Sequence, residues 1–142
     1  MPVLPGDVML ATNMDYDSIA KSGSMLGSGA VISMDETTDM VVALCRISRF
    51  YYSESCGQCT PCREGTGWLY RMLVRIIDGK GRPEDIAKLD DVAAKIAGRT
   101  ICALGEAAAW PVQGMLRHFR HEFEYYVEHK RSIVQEKLGT AA

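Results

Sequence analysis

The stretch Glu54-Ser55-Cys56-Gly57-Gln58-Cys59-Thr60-Pro61-Cys62-Arg63-Glu64-Gly65 places three of the chain's five cysteines within a few residues of one another. Its C-x2-C-x2-C spacing wraps a chain around three corners of an iron–sulfur cube, because each corner iron takes one thiolate. The fourth ligand must come from elsewhere, and Cys102 and Cys45 are the two left. Cys102 is favoured, since it sits in a loop between Arg99-Thr100-Ile101 and Ala103-Leu104-Gly105 where a side chain can turn toward the site. Cys45 lies in the middle of a helical pattern with Val41, Val42, Leu44 and Ile47, the ordinary setting of a small buried hydrophobe. Gly57 lets the backbone approach inorganic sulfide, and Pro61 stiffens the loop. Arg63 and Arg99 either offset the negative charge of a tetrathiolate cluster or pair with Glu54 and Glu64. Phe50, Tyr51 and Tyr52, just ahead of the motif, are expected to be core that shields it from water.

Two other chemistries fit the cysteines less well. A structural zinc site wants two separated C-x2-C knuckles, and this chain has one triple and a distant single. His118, His121 and His129 are available as ligands, but His118 and His121 fall on the polar side of an apolar helical stripe. A redox dithiol normally opens a helix after a strand, whereas here a helix precedes the motif and a third cysteine is left without a role. No Ser/His/Asp or paired-carboxylate arrangement stands out, so bond-making chemistry is not expected of this chain.

The surrounding sequence sets the frame. With 142 residues, 47% hydrophobic and 24% charged, the chain has the size and composition of a globular domain. Its apolar runs fall far short of a bilayer span and no signal-peptide pattern opens it, so a soluble protein without direct membrane insertion is expected. A net charge of −2 argues against nucleic acid as a partner. That charge is uneven: residues 1–44 carry six acids against Lys21, while residues 45–142 carry fifteen bases against twelve acids.

The change of character coincides with a change of pattern. Up to about Asp35 the chain is rich in Gly, Ser and Pro, and Val8-Met9-Leu10 and Ala30-Val31-Ile32 read as two short strands flanking a helical turn at 15–21. Two strands bury too little to stand alone, so this part reads as the tail of a β-containing domain. Gly23, Gly27 and Gly29 precede an apolar run, the reverse of a dinucleotide-binding order, and mark a bend where backbones pack closely. From Thr37 the pattern is helical. Thr37 or Thr38 caps a first helix, and a loop from Ser53 to Thr66 carries the cysteines. A second helix from Trp68 ends at Gly79 and Gly81, and Pro83 suits the first turn of a third, Glu84 to Ala97, with Gly98 as its stop. Pro111, after the Trp110 anchor, opens a last helix with a stripe of Met115, Leu116, Phe119, Phe123 and Tyr126. Four helices on short connections predict a bundle.

The loop 54–65 resembles the signature of the F-type NADH-binding flavoprotein component of respiratory NADH:quinone oxidoreductase, complex I. The runs Cys102-Ala-Leu-Gly-Glu-Ala-Ala-Ala-Trp-Pro-Val-Gln-Gly114, Arg117-His-Phe-Arg120 and Glu122-Phe-Glu124 resemble the same family's C-terminal region, as does Gly23-Ser-Met-Leu-Gly-Ser-Gly29. The resemblance implies a mainly α fold: residues 1–35 as the tail of a ubiquitin-like domain, and residues 36–142 as a four-helix bundle holding one [4Fe–4S] cluster on Cys56, Cys59, Cys62 and Cys102. It further implies an electron-transfer module that takes electrons from FMN, reduced by NADH on a preceding domain absent from this chain, and relays them to other clusters. The implied partners are that FMN/NADH domain and other peripheral-arm subunits, and the implied location is cytoplasmic, peripheral to the inner membrane. The activity would be that of an NADH dehydrogenase assembly, with no catalysis by this segment alone. Similar subunits serve NAD-reducing hydrogenases and formate dehydrogenases; the Trp110-Pro111-Val112 run leans toward complex I. The alternative class is a zinc-stapled helical interaction module.

Overall fold

The computed structural model describes residues 2–139, and every regular element among them is a helix. Two short ones come first, α1 (Gly6–Leu10) and α2 (Tyr16–Lys21), the second capped by the Asp15 carboxylate, which accepts the Ser18 N–H at 2.7 Å. They are followed by α3 (Met40–Glu54), α4 (Thr60–Arg75) with a π-helical turn at Ile76–Lys80, and α5 (Pro83–Ile96). The last three are α6 (Leu104–His118), α7 (Arg120–His129) and α8 (Ile133–Lys137). None is long and apolar enough to cross a membrane.

A ring of four helices makes the bundle: α3 packs on α4, α4 on α5, α5 on α6, and α6 back on α3. Val41, Leu44, Leu69, Leu73, Leu89, Val112 and Met115 fill its centre with no more than 1% of their surface exposed. A fifth helix, α7, covers one end, with Phe123 fully buried. That end is stitched by polar groups. Asp39 accepts the Val42 N–H at 2.9 Å as the cap of α3, and also accepts the Tyr126 hydroxyl at 2.7 Å and the Ser132 hydroxyl. Glu122 accepts the Met40 N–H at 3.0 Å, and burial pushes its carboxyl above the usual carboxylate range. Under the bundle, fully buried Asp85 takes a bidentate contact from Arg75 and the Arg82 N–H at 3.0 Å.

Several boundaries differ from the sequence reading. The cap of α3 is Asp39, because Thr37 and Thr38 turn their hydroxyls back to Asp35 instead. Helix α4 starts at Thr60, so Pro61 stiffens a helical first turn and the cysteine loop is only 55–59. Helix α6 starts at Leu104 and runs through Pro111: the proline forfeits one bond to the Ala107 carbonyl, and burial of its ring against the core holds the helix together. The expected single last helix is broken at Phe119 (φ −124°, ψ 24°) into α6 and α7.

The largest correction lies at the front of the chain. No strand forms among the described residues: Val8-Met9-Leu10 is in α1, and Ala30-Val31-Ile32 is irregular. Neither run finds a neighbouring strand to pair with, and an unpaired strand cannot satisfy its own backbone. Gly27 and Gly29 are turn glycines at φ 55° and 79° with open space around them, not points of close packing.

Candidate metal centre

The cysteines of the motif straddle a helix start. Cys59 is the residue that precedes the first turn of α4, Cys62 lies within that turn, and Cys56 stands in the loop leaving α3. Negative charge is stabilised at this end of a helix, where backbone N–H groups lack partners. Cys62 is buried, Cys59 half-buried, and Cys56 exposed.

Short polar contacts define the loop between them. Gly57 takes φ 81°, a left-handed turn open to glycine at no steric cost. Its carbonyl accepts a bond from an Arg63 guanidinium nitrogen at 2.9 Å, while Arg63 Nε bonds Glu64 at 3.0 Å. Arg63 is therefore both paired with Glu64 and a clasp on the ligand loop. Ser55 Oγ stands 3.3 Å from Cys62 Sγ and accepts the Gly57 N–H at 3.4 Å.

The loop before α6 reaches this end of the bundle. The Ile101 N–H donates to Cys59 Sγ at 3.4 Å, so the loop that carries Cys102 touches the loop of the cysteine motif through its backbone. Cys102 is exposed. Its loop is held by the Thr100 hydroxyl on the Cys102 carbonyl at 2.9 Å and by the Gly98 N–H on Glu106 at 2.8 Å. Gly105 permits the fit, since a Cβ there would lie 2.2 Å from Thr100 Oγ1. Arg99 does not pair with Glu54 or Glu64; it bonds the Ala94 carbonyl at 2.6 Å near the end of α5.

The other candidates lie elsewhere. Cys45 sits some nine residues before the end of α3, about 14 Å along its axis. Its electrostatic neighbour is Asp78, beyond the far end of α4. Burial raises its thiol above the ordinary value, with the Asp78 carboxylate adding to the effect. His118 and His121 flank the junction of α6 and α7, about 20 Å from the start of α6. Among the described residues no three His, Cys, Asp or Glu side chains gather at the distance a single metal ion needs. Phe50 and Tyr52 are 58% and 42% exposed, so they do not form the expected shield; Tyr52 stacks on Tyr70 at 6.2 Å on the outside of the bundle. Trp68 is exposed as well.

What sequence reasoning missed is the pair of polar groups beside sulfur, the Ser55 hydroxyl and the Ile101 amide. The hydroxyl directly before the first cysteine was a visible signal for the first. Nothing in the sequence announced the second, because it depends on two loops meeting. By residue type the surroundings suit an iron–sulfur cluster: soft cysteine sulfur on two loops that touch, polar N–H or O–H groups beside Cys59 and Cys62, and a helix N-terminus.

A helical bundle that presents thiols at one end, beside backbone and hydroxyl donors, defines the class. The family follows from comparison with known proteins. Residues 42–126 match the family described as the NADH-ubiquinone oxidoreductase-F iron-sulfur binding region, and the chain belongs to it. It is 49% identical over 128 residues to the F component of NADH-quinone oxidoreductase of Rickettsia bellii, an alignment covering 90% of this chain and 31% of that protein. It is 52% identical over 124 residues to mitochondrial NADH dehydrogenase (ubiquinone) flavoprotein 1 of Dictyostelium discoideum, covering 87% of this chain and 26% of that one. Among solved structures it resembles NAD+-reducing [NiFe]-hydrogenase in the H2-reduced state, with a TM-score of 0.63 and 31% identity over 66% of this chain and 16% of that chain. The chain thus spans less than a third of the length of these relatives.

Proposed function

We propose that this chain is an electron-transfer module in which Cys56, Cys59, Cys62 and Cys102 hold one [4Fe–4S] cluster. Such a cluster supplies one-electron redox chemistry, the complement of a flavin that receives hydride as two electrons. The single observation that carries the reading is the Ile101 N–H on Cys59 Sγ, which draws the distant Cys102 loop to the triple. The position of Cys45 near Asp78, at the other end of α4, supports Cys102 as the fourth ligand. The chain's own residues then have distinct tasks. Arg63 holds the ligand loop closed through the Gly57 carbonyl, the start of α4 offsets negative charge, and Thr100 fixes the Cys102 turn.

In this reading residues 1–35 are the tail of a ubiquitin-like domain and residues 36–142 the cluster-binding domain. FMN and NADH bind a separate domain of the same polypeptide, and other peripheral-arm subunits of complex I accept the electrons. The module sits on the cytoplasmic side, peripheral to the inner membrane. NADH oxidation belongs to that assembly, not to this segment. About 50% identity to quinone-reductase relatives, against 31% to the hydrogenase, favours complex I as the parent.

Iron, acid-labile sulfide and zinc per chain, measured after anaerobic purification, test the proposal. About four iron and four sulfide are expected. Serine at Cys56, Cys59, Cys62 or Cys102 is expected to lower both sharply, and Cys45→Ser to leave them unchanged. About one zinc without sulfide, even after anaerobic reconstitution, would overturn the reading in favour of a structural staple.

A further inference from the structure

We infer that Ser55 tunes the redox potential of the site by donating a hydrogen bond from its hydroxyl to Cys62 Sγ; this rests on the cluster reading above. The geometry assigns the direction of the bond. Ser55 Oγ lies 3.3 Å from Cys62 Sγ, within range for a sulfur acceptor. The same oxygen already accepts the Gly57 N–H at 3.4 Å. That leaves the hydroxyl proton free to point at sulfur. A cluster ligand is a thiolate and has no proton to give, so serine is the donor. The result is a short relay from the Gly57 amide through the Ser55 hydroxyl to Cys62.

Burial adds to the effect. Cys62 is only 7% exposed, the least exposed of the four thiols, and a hydrogen bond counts for more where water is excluded. Hydrogen bonds to cluster sulfurs are among the levers that set potential. A donor stabilises the more negative, reduced state and so raises the potential. Cys59 has a comparable donor in the Ile101 amide, but a backbone N–H is not removed by exchanging its side chain. Ser55 is thus a side chain through which a hydrogen bond to sulfur can be added or removed without changing a ligand. It is a positioning and tuning residue, not a ligand.

The experiment compares the full chain with Ser55→Ala and Ser55→Thr after anaerobic reconstitution with ferrous iron and inorganic sulfide. Metal and sulfide content are measured first, then the midpoint potential by EPR-monitored titration. The expected result is equal iron and sulfide in all three, a more negative midpoint in Ser55→Ala, and a wild-type midpoint in Ser55→Thr, which keeps the hydroxyl. An unshifted Ser55→Ala, or a Ser55→Thr shifted as far as Ser55→Ala, overturns the inference. Should Ser55→Ala fail to hold the cluster, retention in Ser55→Thr supports the hydroxyl's role and loss in both overturns it. A wild-type chain that takes up no iron and sulfide removes the cluster reading itself, and this inference with it.

Discussion

The front of the chain, residues 2–39, and the bundle that follows both carry many apolar side chains, yet they use them differently. In the bundle, Val41, Leu44, Leu73 and Phe123 have no exposed surface. At the front, Leu10 is 91% exposed, Ile32 76% and Tyr16 71%, and neither α1 nor α2 contains a buried residue. Helices of five and six residues lie well below the length that holds in water, so they depend on whatever they pack against. What the front segment meets is one side of the bundle. Val3, Leu4, Ile19, Leu26 and Val31 face Ile47, Tyr51, Pro111 and Met115 across a loosely filled apolar cavity of about 790 Å³. The contrast teaches that composition alone does not make a core. The helices of the bundle are long enough to bury a continuous stripe, and the front segment is not.

The comparison can be broken or sharpened by experiment. The largest effect is expected for Leu73→Ala, which empties a fully buried site and should cost about 2–5 kcal/mol in urea unfolding. Next comes Asp85→Ala, which leaves the Arg82 N–H without its acceptor and removes the partner of the partly exposed Arg75; a loss of about 1–3 kcal/mol is expected by the same measurement. Limited proteolysis should then cut first within 11–38, leaving a fragment with the helical circular dichroism of the bundle. Early cuts in α4 or α5 would show that the two regions do not differ in local stability.

A smaller effect depends on pH. Burial, then the nearby Asp39 carboxylate, raises the Glu122 carboxyl, while the Met40 N–H, His121 and Lys137 pull the other way. The folded chain therefore holds that proton to higher pH than the unfolded chain does. Its contribution to stability is complete below the unfolded value and declines as pH rises through the raised folded value. Glu122→Gln should flatten this decline in a series of melts across the acid range; an unchanged slope would assign it to another group. The smallest effect is expected at the front, where Ile32→Ala should change stability by no more than about 0.5 kcal/mol.

Much of the bundle was legible in the sequence because its signals are local. Helical spacing of Val41, Leu44 and Ser48, proline in the first turn at Pro83, and the stop at Gly79 and Gly81 each need only a few neighbouring residues. The sequence reading departs from the structure where a second acceptor competes for a capping hydroxyl or where burial overrides a local signal. Thr37 and Thr38 looked like caps until Asp35 captured their hydroxyls, and Pro111 looked like a helix start until burial carried α6 through it. The front runs looked like strands because β-branched and apolar residues favour strands, but a strand needs a partner that local sequence cannot provide.

The site divides along the same line. By itself the sequence determined the chemistry: three thiols at x2 spacing, a glycine to turn the loop, and a free cysteine in a later loop, all properties of residue type and short separation. Only the tertiary structure decided which groups meet. It brought the Ile101 amide to Cys59 across forty-two residues, turned Ser55 onto Cys62, engaged Arg63 with the Gly57 carbonyl, and left Cys45 near the opposite end of α4. The physical reason is that such contacts arise from the packing of α3, α4, α5 and α6 as a closed ring. The helix ends that converge are fixed by the core they share, not by the order of residues along the chain.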